Sequence, residues 1–548
     1  MENKDVRLTF PAMFNETLRK YSDKNAYSFV GEEPKSFGTV NEESQALIAF
    51  LEKNDICPGD KVAILSNNMP NWGVTFFAIT FMGAIVVPIL PDFSSKEVVN
   101  VIEHSGAKAI FISTPLLPRI EGFKSEDLKM AILIEDFSFI FSEPNATNFN
   151  ISARPVKNYD IQEDDLASII YTSGTTGRSK GVMLTHKNIT FNALKAAVIQ
   201  PMNENDRFLS VLPLSHTYEN TLGLVLPMLF GSCVYYLRKP PTPPVLLPAL
   251  SLVKPTIMLT VPLIIEKIYF NKILPAFRDK LILRLLYKIP FVRKKLNAVA
   301  GAKLIKTFGG ELKFFGVGGA KLNKTVEKFL IEAKFPYAIG YGLTETSPLL
   351  AGANPKNSVF DSTGPKIQGV ELIIHNPDKK TGEGEIWAKG PTIMKGYFKE
   401  PELTKEVLSP EGWFKTGDFG TLDSNNNLYI KGRLKNMIVG ASGENIYPEE
   451  IESIINNFRF VVESLVVQQK GKLVALVHFN IEDLEKKYQT LKEDMTKQVV
   501  DMTEEIRNEL KAYVNSQVNK FSQIQKVVLQ QDPFKKTATL KIKRFLYT

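Results

Sequence analysis

Residues 171–186 read YTSGTTGRSKGVMLTH, and the fold turns on what surrounds this run of glycines and hydroxyls. Ahead of it, Leu166 to Tyr171 (LASIIY) has the length and apolar composition of a buried strand, and Gly181 to Leu184 (GVML) resumes strand character. Ser/Gly/Thr runs are ordinarily flexible surface linkers. This one joins two apolar strands and ends on a lone lysine, Lys180, a setting that a linker does not need. Gly174, Gly177 and Gly181 permit backbone conformations that a Cβ opposes, so successive N–H groups can converge on an anion. Thr172, Ser173, Thr175 and Thr176 add hydroxyl donors, and Lys180 adds a mobile positive charge. The run therefore reads as a phosphate-binding loop. It is not a Walker A loop, because Lys180 follows Ser179 and precedes Gly181 where that pattern demands Gly-Lys-Ser/Thr.

Outward from the loop, β-rich apolar stretches alternate with helical ones from about residue 40 to 260. KVAILSN (61–67), AIVVPI (84–89), AKAIFIS (107–113) and MAILIED (130–136) read as strands, with helices near 41–53, 70–82 and 94–104 between them. Such alternation predicts parallel sheets covered by helices. FLSVLPLSHTYENTLGLVLPML (208–229) reads as a strand and an apolar helix with His216 at the join. From Ser358 the pattern changes to short strands with Gly and Pro turns, which predicts an antiparallel subdomain. Pro448 before EEIESII opens a helix, and the remainder alternates strands with charged helices over about 481–520, a small α+β domain.

With 548 residues the chain exceeds a single typical core. Its 67 basic and 59 acidic residues leave a net charge of +8, too dilute to argue for nucleic acid but compatible with nucleotides, coenzyme A or lipid headgroups. Cys57 and Cys233 are far apart and form neither a disulfide framework nor a metal spacing, which fits a reducing cytosol. The first ten residues lack the apolar core of a signal peptide. Trp72 to Leu90 runs uncharged to the lower limit of a membrane span. Gly83 and Pro88 divide it into a helix and a β-branched strand without flanking basic clusters, so burial in an α/β core is expected. Residues 272–296, KILPAFRDKLILRLLYKIPFVRKKL, set eight basic residues against Asp279 alone, interleaved with Leu, Ile, Phe and Tyr. Two readings stand for them: a basic amphipathic helix on an anionic membrane surface, or a solvated helix whose apolar side packs on the core.

Further motifs lie downstream. LKFFGVGGAKL (312–322) is a strand ending in Gly318-Gly319-Ala320, and YAIGYGLTETSP (337–348) is a second strand and loop. In the latter, Thr344 can bond a phosphate, and Glu345 offers a hard oxygen suited to Mg2+. GWFKTGDFGTLD (412–423) places Asp418 after a glycine, which by itself reads as a hairpin turn. KGRLKNMIV (431–439) and the basic tail KKTATLKIKRF (535–545) are unremarkable taken singly.

Taken together and in this order, the loop and these downstream motifs resemble the signatures of the adenylate-forming superfamily, which includes acyl-CoA synthetases, peptide-synthetase adenylation domains and luciferases. PLSHTYE (213–219) and VPLIIEKIY (261–269) resemble its long-chain fatty acid branch. Two positions depart from the pattern: Ser179 replaces the usual Pro before the lysine, and Leu540 the usual Gly before Lys-Ile. The resemblance implies a large α/β domain with a small antiparallel β subdomain over 1–432, a hinge at 433–437 turning about Lys435, and a mobile α+β domain over 438–548. It implies that the 172–180 loop binds ATP phosphates with Mg2+ at Glu345 and Thr172. It implies that Gly318, Gly319 and Ala320 line the adenine pocket, that Tyr341 and Gly342 flank the base, and that Asp418 and Arg433 hold the ribose. His216 falls near the acyl group, although a lone histidine serves equally as a structural hydrogen-bonding partner. Lys541 falls at the catalytic lysine, with Lys543 two residues on and, in an extended strand, on the same side. The implied reaction activates a fatty acid as acyl-adenylate and passes it to coenzyme A. A carrier-protein phosphopantetheine as acceptor, an aryl or other organic acid as substrate, and an inactive lipid-surface protein are the alternatives.

Overall fold

The computed structural model describes residues 6–173, 179–278, 280–439, 445–469, 471–480, 498–536 and 542–547. Gly174, Thr175, Thr176, Gly177 and Lys541 lie outside these, and Ser173 is described in its backbone only.

The expected alternation condenses into two eight-stranded sheets. One runs in the order 396–397, 179–185, 166–173, 85–89, 61–65, 107–112, 130–133 and 139–141. Its middle is parallel, with Ala63 between Val87 and Ile110, and its two edges are antiparallel. The other runs 349–352, 337–342, 314–317, 257–260, 207–210, 233–236, 25–29 and 35–36, again parallel except at the edges. Parallel strands buried on both faces require continuous apolar runs, which is what IVVPI and KVAIL supply. Local signals set the helix starts. Ser94 and Glu97 form a reciprocal capping box ahead of Ser95–Ser105, and Thr185 does the same with Asn188 ahead of His186–Ile199.

The uncharged stretch Trp72 to Leu90 is buried as expected, in the helix Pro70–Phe81 and the strand Ile85–Ile89. Trp72 stacks on Phe76 with ring centroids 5.6 Å apart, and Phe10 meets Phe76 edge-on at 5.2 Å. Among the described residues no helix is long and apolar enough to cross a membrane.

Beyond residue 370 a four-stranded sheet follows chain order, 371–375, 384–389, 414–422 and 428–433. The chain divides into two compact units: residues 1–373 with 387–415 and 423–428, and residues 374–386 with 416–422 and 429–548. The second unit carries a three-stranded sheet in which Val461–Gln469 pairs antiparallel with Lys472–Phe479, and that strand pairs parallel with Lys526–Leu529. Its core gathers Ile451, Ile455, Val466, Leu510 and Val514 from the strands and from helices Pro448–Ile455 and Gln498–Asn515. Of the charged helix expected over 481–520, residues 481–497 lie outside the described residues.

Three readings need correction. The apolar helix expected after residue 210 is interrupted: Thr217–Glu219 passes into a π-helical turn, Asn220–Val225, before Leu226–Leu229. The carboxyl of Glu219 occupies the space that a Cβ on Gly223 would need, 2.7 Å away. Residues 272–296 form three short helical pieces rather than one, Leu274–Arg278, Leu281–Leu286 and the start of Pro290–Thr307. Asp418 lies inside the strand Phe414–Leu422 and not in a hairpin turn; Gly417 absorbs a φ of +69° within that strand.

Candidate active site

The loop's flanks form an antiparallel hairpin, Leu166–Ser173 against Ser179–Thr185, with Thr172 opposite Lys180 and Ser173 opposite Ser179. Five residues, 174–178, connect them. Gly181 is required for a different reason from the one its place beside the loop suggests. It sits in the strand, where a Cβ would meet Ile169 at 2.9 Å and Tyr171 at 3.1 Å, so it serves close packing and not an anion-cradling turn. Tyr171 in turn bonds His104 Nδ1 at 2.7 Å, and burial pushes its phenol far above the usual range.

A third strand, Gly396–Tyr397, pairs with the hairpin, placing Tyr397 opposite Val182. Its ring lies under the Lys180 ammonium, 5.1 Å from centroid to Nζ, while its hydroxyl donates to Glu345 Oε1 at 2.9 Å. Tyr397 thus joins the loop lysine to the candidate metal carboxylate. Sequence reasoning missed it: a tyrosine after Gly396, more than two hundred residues from the loop, looks like any core aromatic.

Glu345 stands in the one-turn helix Thr344–Thr346 at the end of the strand Tyr337–Gly342. Two further elements hold that turn. Buried Asn192, on the helix after the hairpin, donates to Thr346 O at 3.2 Å and Leu349 O at 2.8 Å, and Met394 N donates to Glu345 O at 2.9 Å. No pattern around Asn192 announces this. Gly342 cannot carry a side chain, since a Cβ would lie 1.8 Å from Pro348 O. A single carboxylate with one oxygen on a phenol suits Mg2+, which keeps several waters and takes phosphate oxygens alongside one or two protein carboxylates. Among the described residues no cluster of three or more metal-ligating side chains offers a cage of its own.

Of the glycines expected to line an adenine pocket, Gly318 faces an aromatic ring, as does Gly316 in the strand before it. A Cβ on Gly316 would come 3.1 Å from Tyr218 Oη, and one on Gly318 would come 3.1 Å from Tyr218 Cε1; Gly319 has a φ of +81°. Tyr341 is buried, and Gly319 and Ala320 are exposed. Tyr218 also lines a narrow apolar cavity between helix His186–Ile199, the π-helical turn and the strands at 257–260, 314–317 and 337–342. Leu222, Leu226, Leu259, Ala338 and Gly352 are among its walls, and no lining residue is charged. His216, two residues before Tyr218, caps the helix, its Nδ1 accepting from Tyr218 N at 3.3 Å.

Below Tyr218, Glu219 is fully enclosed. Its Oε1 accepts from Ser210 Oγ at 2.6 Å, and burial pushes its carboxyl up to about 8, so it is neutral near pH 7. Unfolded, it ionises near 4.5. Because the folded value is the raised one, the stability this group contributes is fully present below pH 4.5 and is lost as pH rises through 8. Glu219→Gln should therefore gain in Tm relative to the parent protein as pH rises from 5 to 9. A difference in Tm that stays flat across that range would show that Glu219 ionises freely when folded.

In the second unit, Asp418 is buried with its Oδ1 3.1 Å from Arg433 Nε, and its backbone N–H donates to Thr416 Oγ1 at 3.1 Å. Asp418 and Arg433 are therefore brought together as a pair. Lys435 is exposed in the short turn Leu434–Asn436. Near the C-terminus, Lys536 bridges Ile542, and Lys543 N donates to Lys535 O at 2.8 Å. Lys543 then caps the turn Arg544–Leu546 with a ψ of 75°. Arg544 grips Glu452 at 2.7 Å behind it.

The hairpin and the Glu345 turn both lie within residues 14–398, which match the family described as "AMP-binding enzyme". The chain belongs to that family. It is an adenylate-forming acid–thiol ligase, and its relatives differ in the acid. A chloroplastic long-chain fatty acid–acyl-carrier-protein ligase of Arabidopsis thaliana is 27% identical, with 97% of this chain and 84% of the relative covered. The peroxisomal long chain acyl-CoA synthetase 7 of the same plant is 28% identical over 81% and 68%. A 4-coumarate–CoA ligase of Nicotiana tabacum is 28% identical over 80% and 78%. Among solved structures, the o-succinylbenzoate CoA synthetase of Bacillus subtilis with its acyl-adenylate superposes with a TM-score of 0.76 at 22% identity, 98% of each chain being covered. That likeness shows the fold.

Tyr397→Phe keeps the ring under Lys180 and removes only the bond to Glu345. A hydrogen bond to a charged group is worth about 1.5–3 kcal/mol, so ATP–pyrophosphate exchange should fall about ten- to a hundredfold. Unchanged exchange would mean that Glu345 is oriented by its backbone alone.

Proposed function

We propose that the chain activates a long-chain fatty acid with ATP and passes the acyl group to coenzyme A. The carrying observation is the uncharged apolar cavity, whose wall strand Tyr337–Gly342 runs directly into the Thr344–Glu345 turn. An aliphatic chain gains about 25 cal/mol per Å2 of apolar surface buried in such a space, whereas a second carboxylate would meet no cation on its walls.

Family membership brings ATP, Mg2+ and coenzyme A as reactants. A carboxylate is a poor electrophile, because its charge repels nucleophiles and its leaving group would be oxide. In the first step its oxygen attacks the α-phosphorus, the bond to pyrophosphate breaks, and acyl-AMP forms. Lys180 and the hydroxyls of the 172–176 run bind the phosphates and offset the charge that builds on them. Glu345, held by Tyr397 and Asn192, and Thr172 would hold Mg2+, which supplies further positive charge at the phosphate oxygens. Thr344 bonds a phosphate oxygen, Tyr341 and the 318–320 backbone receive the base, and Asp418 with Arg433 takes the ribose hydroxyls. In the second step a thiol sulfur attacks the acyl carbon, the bond to AMP breaks, and AMP leaves with the electron pair. No protein nucleophile is required. His216 lies next in chain to the cavity-lining segment and orients Tyr218. Lys541 serves the first step, and a swing about Lys435 serves the second.

One observation favours a second acceptor: the relative that acts with acyl carrier protein matches 97% of this chain. Pyrophosphate release across aliphatic, aryl and dicarboxylic acids, followed by thioester formation with coenzyme A and with a phosphopantetheinylated carrier protein, decides both points. Long aliphatic acids should give the highest kcat/KM. Ala196→Phe, which intrudes on the cavity, should shift that preference towards shorter chains. A preference for aryl acids would overturn the fatty-acid reading.

A further inference from the structure

The helix Leu281–Leu286 contains no buried residue. Leu281, Ile282, Leu285, Leu286, Ile289 and Phe291 are each 37–73% exposed, six large apolar side chains within eleven residues. Elsewhere on the described surface such side chains occur mostly singly or in pairs, which needs no explanation; a contiguous cluster does. Positions 281, 282, 285 and 286 share one face of a helix, while Lys280 and Arg284 fall on the opposite side and Lys288 follows the helix end. Lys294 and Lys295 add two more exposed cations just beyond.

The cluster stands on a fixed base. Tyr287 stacks on Phe277 at 4.9 Å and donates to Asn297 Oδ1 at 2.9 Å; Asn297 donates to Glu332 Oε2 at 2.7 Å; Arg293 closes on the same carboxylate at 2.8 Å. Gly301 lets the following helix approach Ala333 so closely that a Cβ would lie 2.1 Å from its carbonyl oxygen. Within the basic segment 272–296, Leu274 is buried and Tyr287 is packed, whereas the helix Leu281–Leu286 buries nothing; full packing resumes just beyond the segment, at Asn297, Gly301 and Leu304.

We propose that residues 281–291 form a membrane-docking surface that inserts its apolar side chains among the acyl chains of an anionic bilayer. Lys280, Arg284, Lys288, Lys294 and Lys295 would lie at the headgroups, their stems apolar and their charges at the phosphates. A second copy of this chain is a poor occupant, because a two-fold contact would bring five cations against the same five. Binding rests on these side chains alone; only its purpose, access to acids partitioned into the bilayer, rests on the fatty-acid reading.

The test is co-sedimentation of the full-length protein with vesicles of pure phosphatidylcholine or of phosphatidylcholine and phosphatidylglycerol in equal parts, at low and high salt. The protein should partition onto the anionic vesicles and be partly released by salt. Arg284→Glu with Lys288→Glu should reduce that partition about tenfold or more, and Ile282→Glu with Leu285→Glu should abolish it. Pyrophosphate release with a short, water-soluble acid should be unchanged in both variants, which shows that they are folded. Undiminished partition in both variants, or none in the parent protein, overturns the proposal. So does a dimer that Ile282→Glu with Leu285→Glu dissociates, since the surface would then join two copies. Vesicle binding without any activity on long-chain acids would instead sink the fatty-acid reading and leave the docking surface standing.

Discussion

Glu345→Gln should lower ATP–pyrophosphate exchange by a factor on the order of 10²–10³ while the protein stays folded, because it removes a charge from the phosphate environment at nearly constant volume. The side chain is partly exposed, and its one described bond is the 2.9 Å contact from Tyr397, which an amide oxygen can still accept. The turn around it is held by backbone and by Asn192, not by the carboxylate. Loss of the fold is therefore not expected, and circular dichroism with an unchanged Tm would establish that. A metal role has its own signature: the apparent KM for Mg2+ should rise with the loss of exchange, and raised Mg2+ should recover part of it. Full exchange at ordinary Mg2+ would exclude Glu345 as the ligand. A loss indifferent to Mg2+ would assign it to positioning Tyr397 over Lys180.

The elements legible in the sequence are those where one physical rule acts alone. Strands at 61–65, 85–89 and 107–112 are short β-branched runs that only double-sided burial accommodates, and Ser94 with Glu97 spells a helix start within four residues. Asp418 and Arg433 were legible as a pair only through resemblance, since nothing in the spacing brings a strand carboxylate to a guanidinium fifteen residues on. What stayed hidden depends on chain segments far apart. Tyr397 and Asn192 support the Glu345 turn from 52 and 153 residues away, and each taken alone resembles ordinary core or helix composition. The π-helical turn Asn220–Val225 lies in a stretch whose apolar pattern suits an ordinary helix equally well, so apolar periodicity does not record it. Gly181 shows the reverse error: its neighbourhood suggested loop chemistry, and side-chain crowding in the strand is what excludes a Cβ.

Lys541→Ala should separate the two half-reactions. Its side chain is assigned to the charge that develops between the acyl carboxylate and the α-phosphate, so acyl-AMP formation should fall by a factor on the order of 10²–10³, the loss of one preorganised donor. Thiolation makes no such demand: with acyl-AMP supplied, the same variant should still transfer the acyl group to coenzyme A at a substantial rate. Lys435→Pro should do the reverse. Lys435 is exposed in the turn 434–436, so little packing is lost, but a fixed φ in the linker opposes rotation into a second orientation while leaving the first accessible. Its adenylation should persist and its thiolation collapse. Leu540, where the family's glycine is usual, raises the question of register, and Lys543→Ala answers it. Lys543 is held by its backbone to Lys535 and caps the following turn, so removing its side chain should leave both half-reactions intact. Normal adenylation in Lys541→Ala together with its loss in Lys543→Ala would move the catalytic role two residues along the chain, and indifference to both would remove the C-terminal tail from the chemistry.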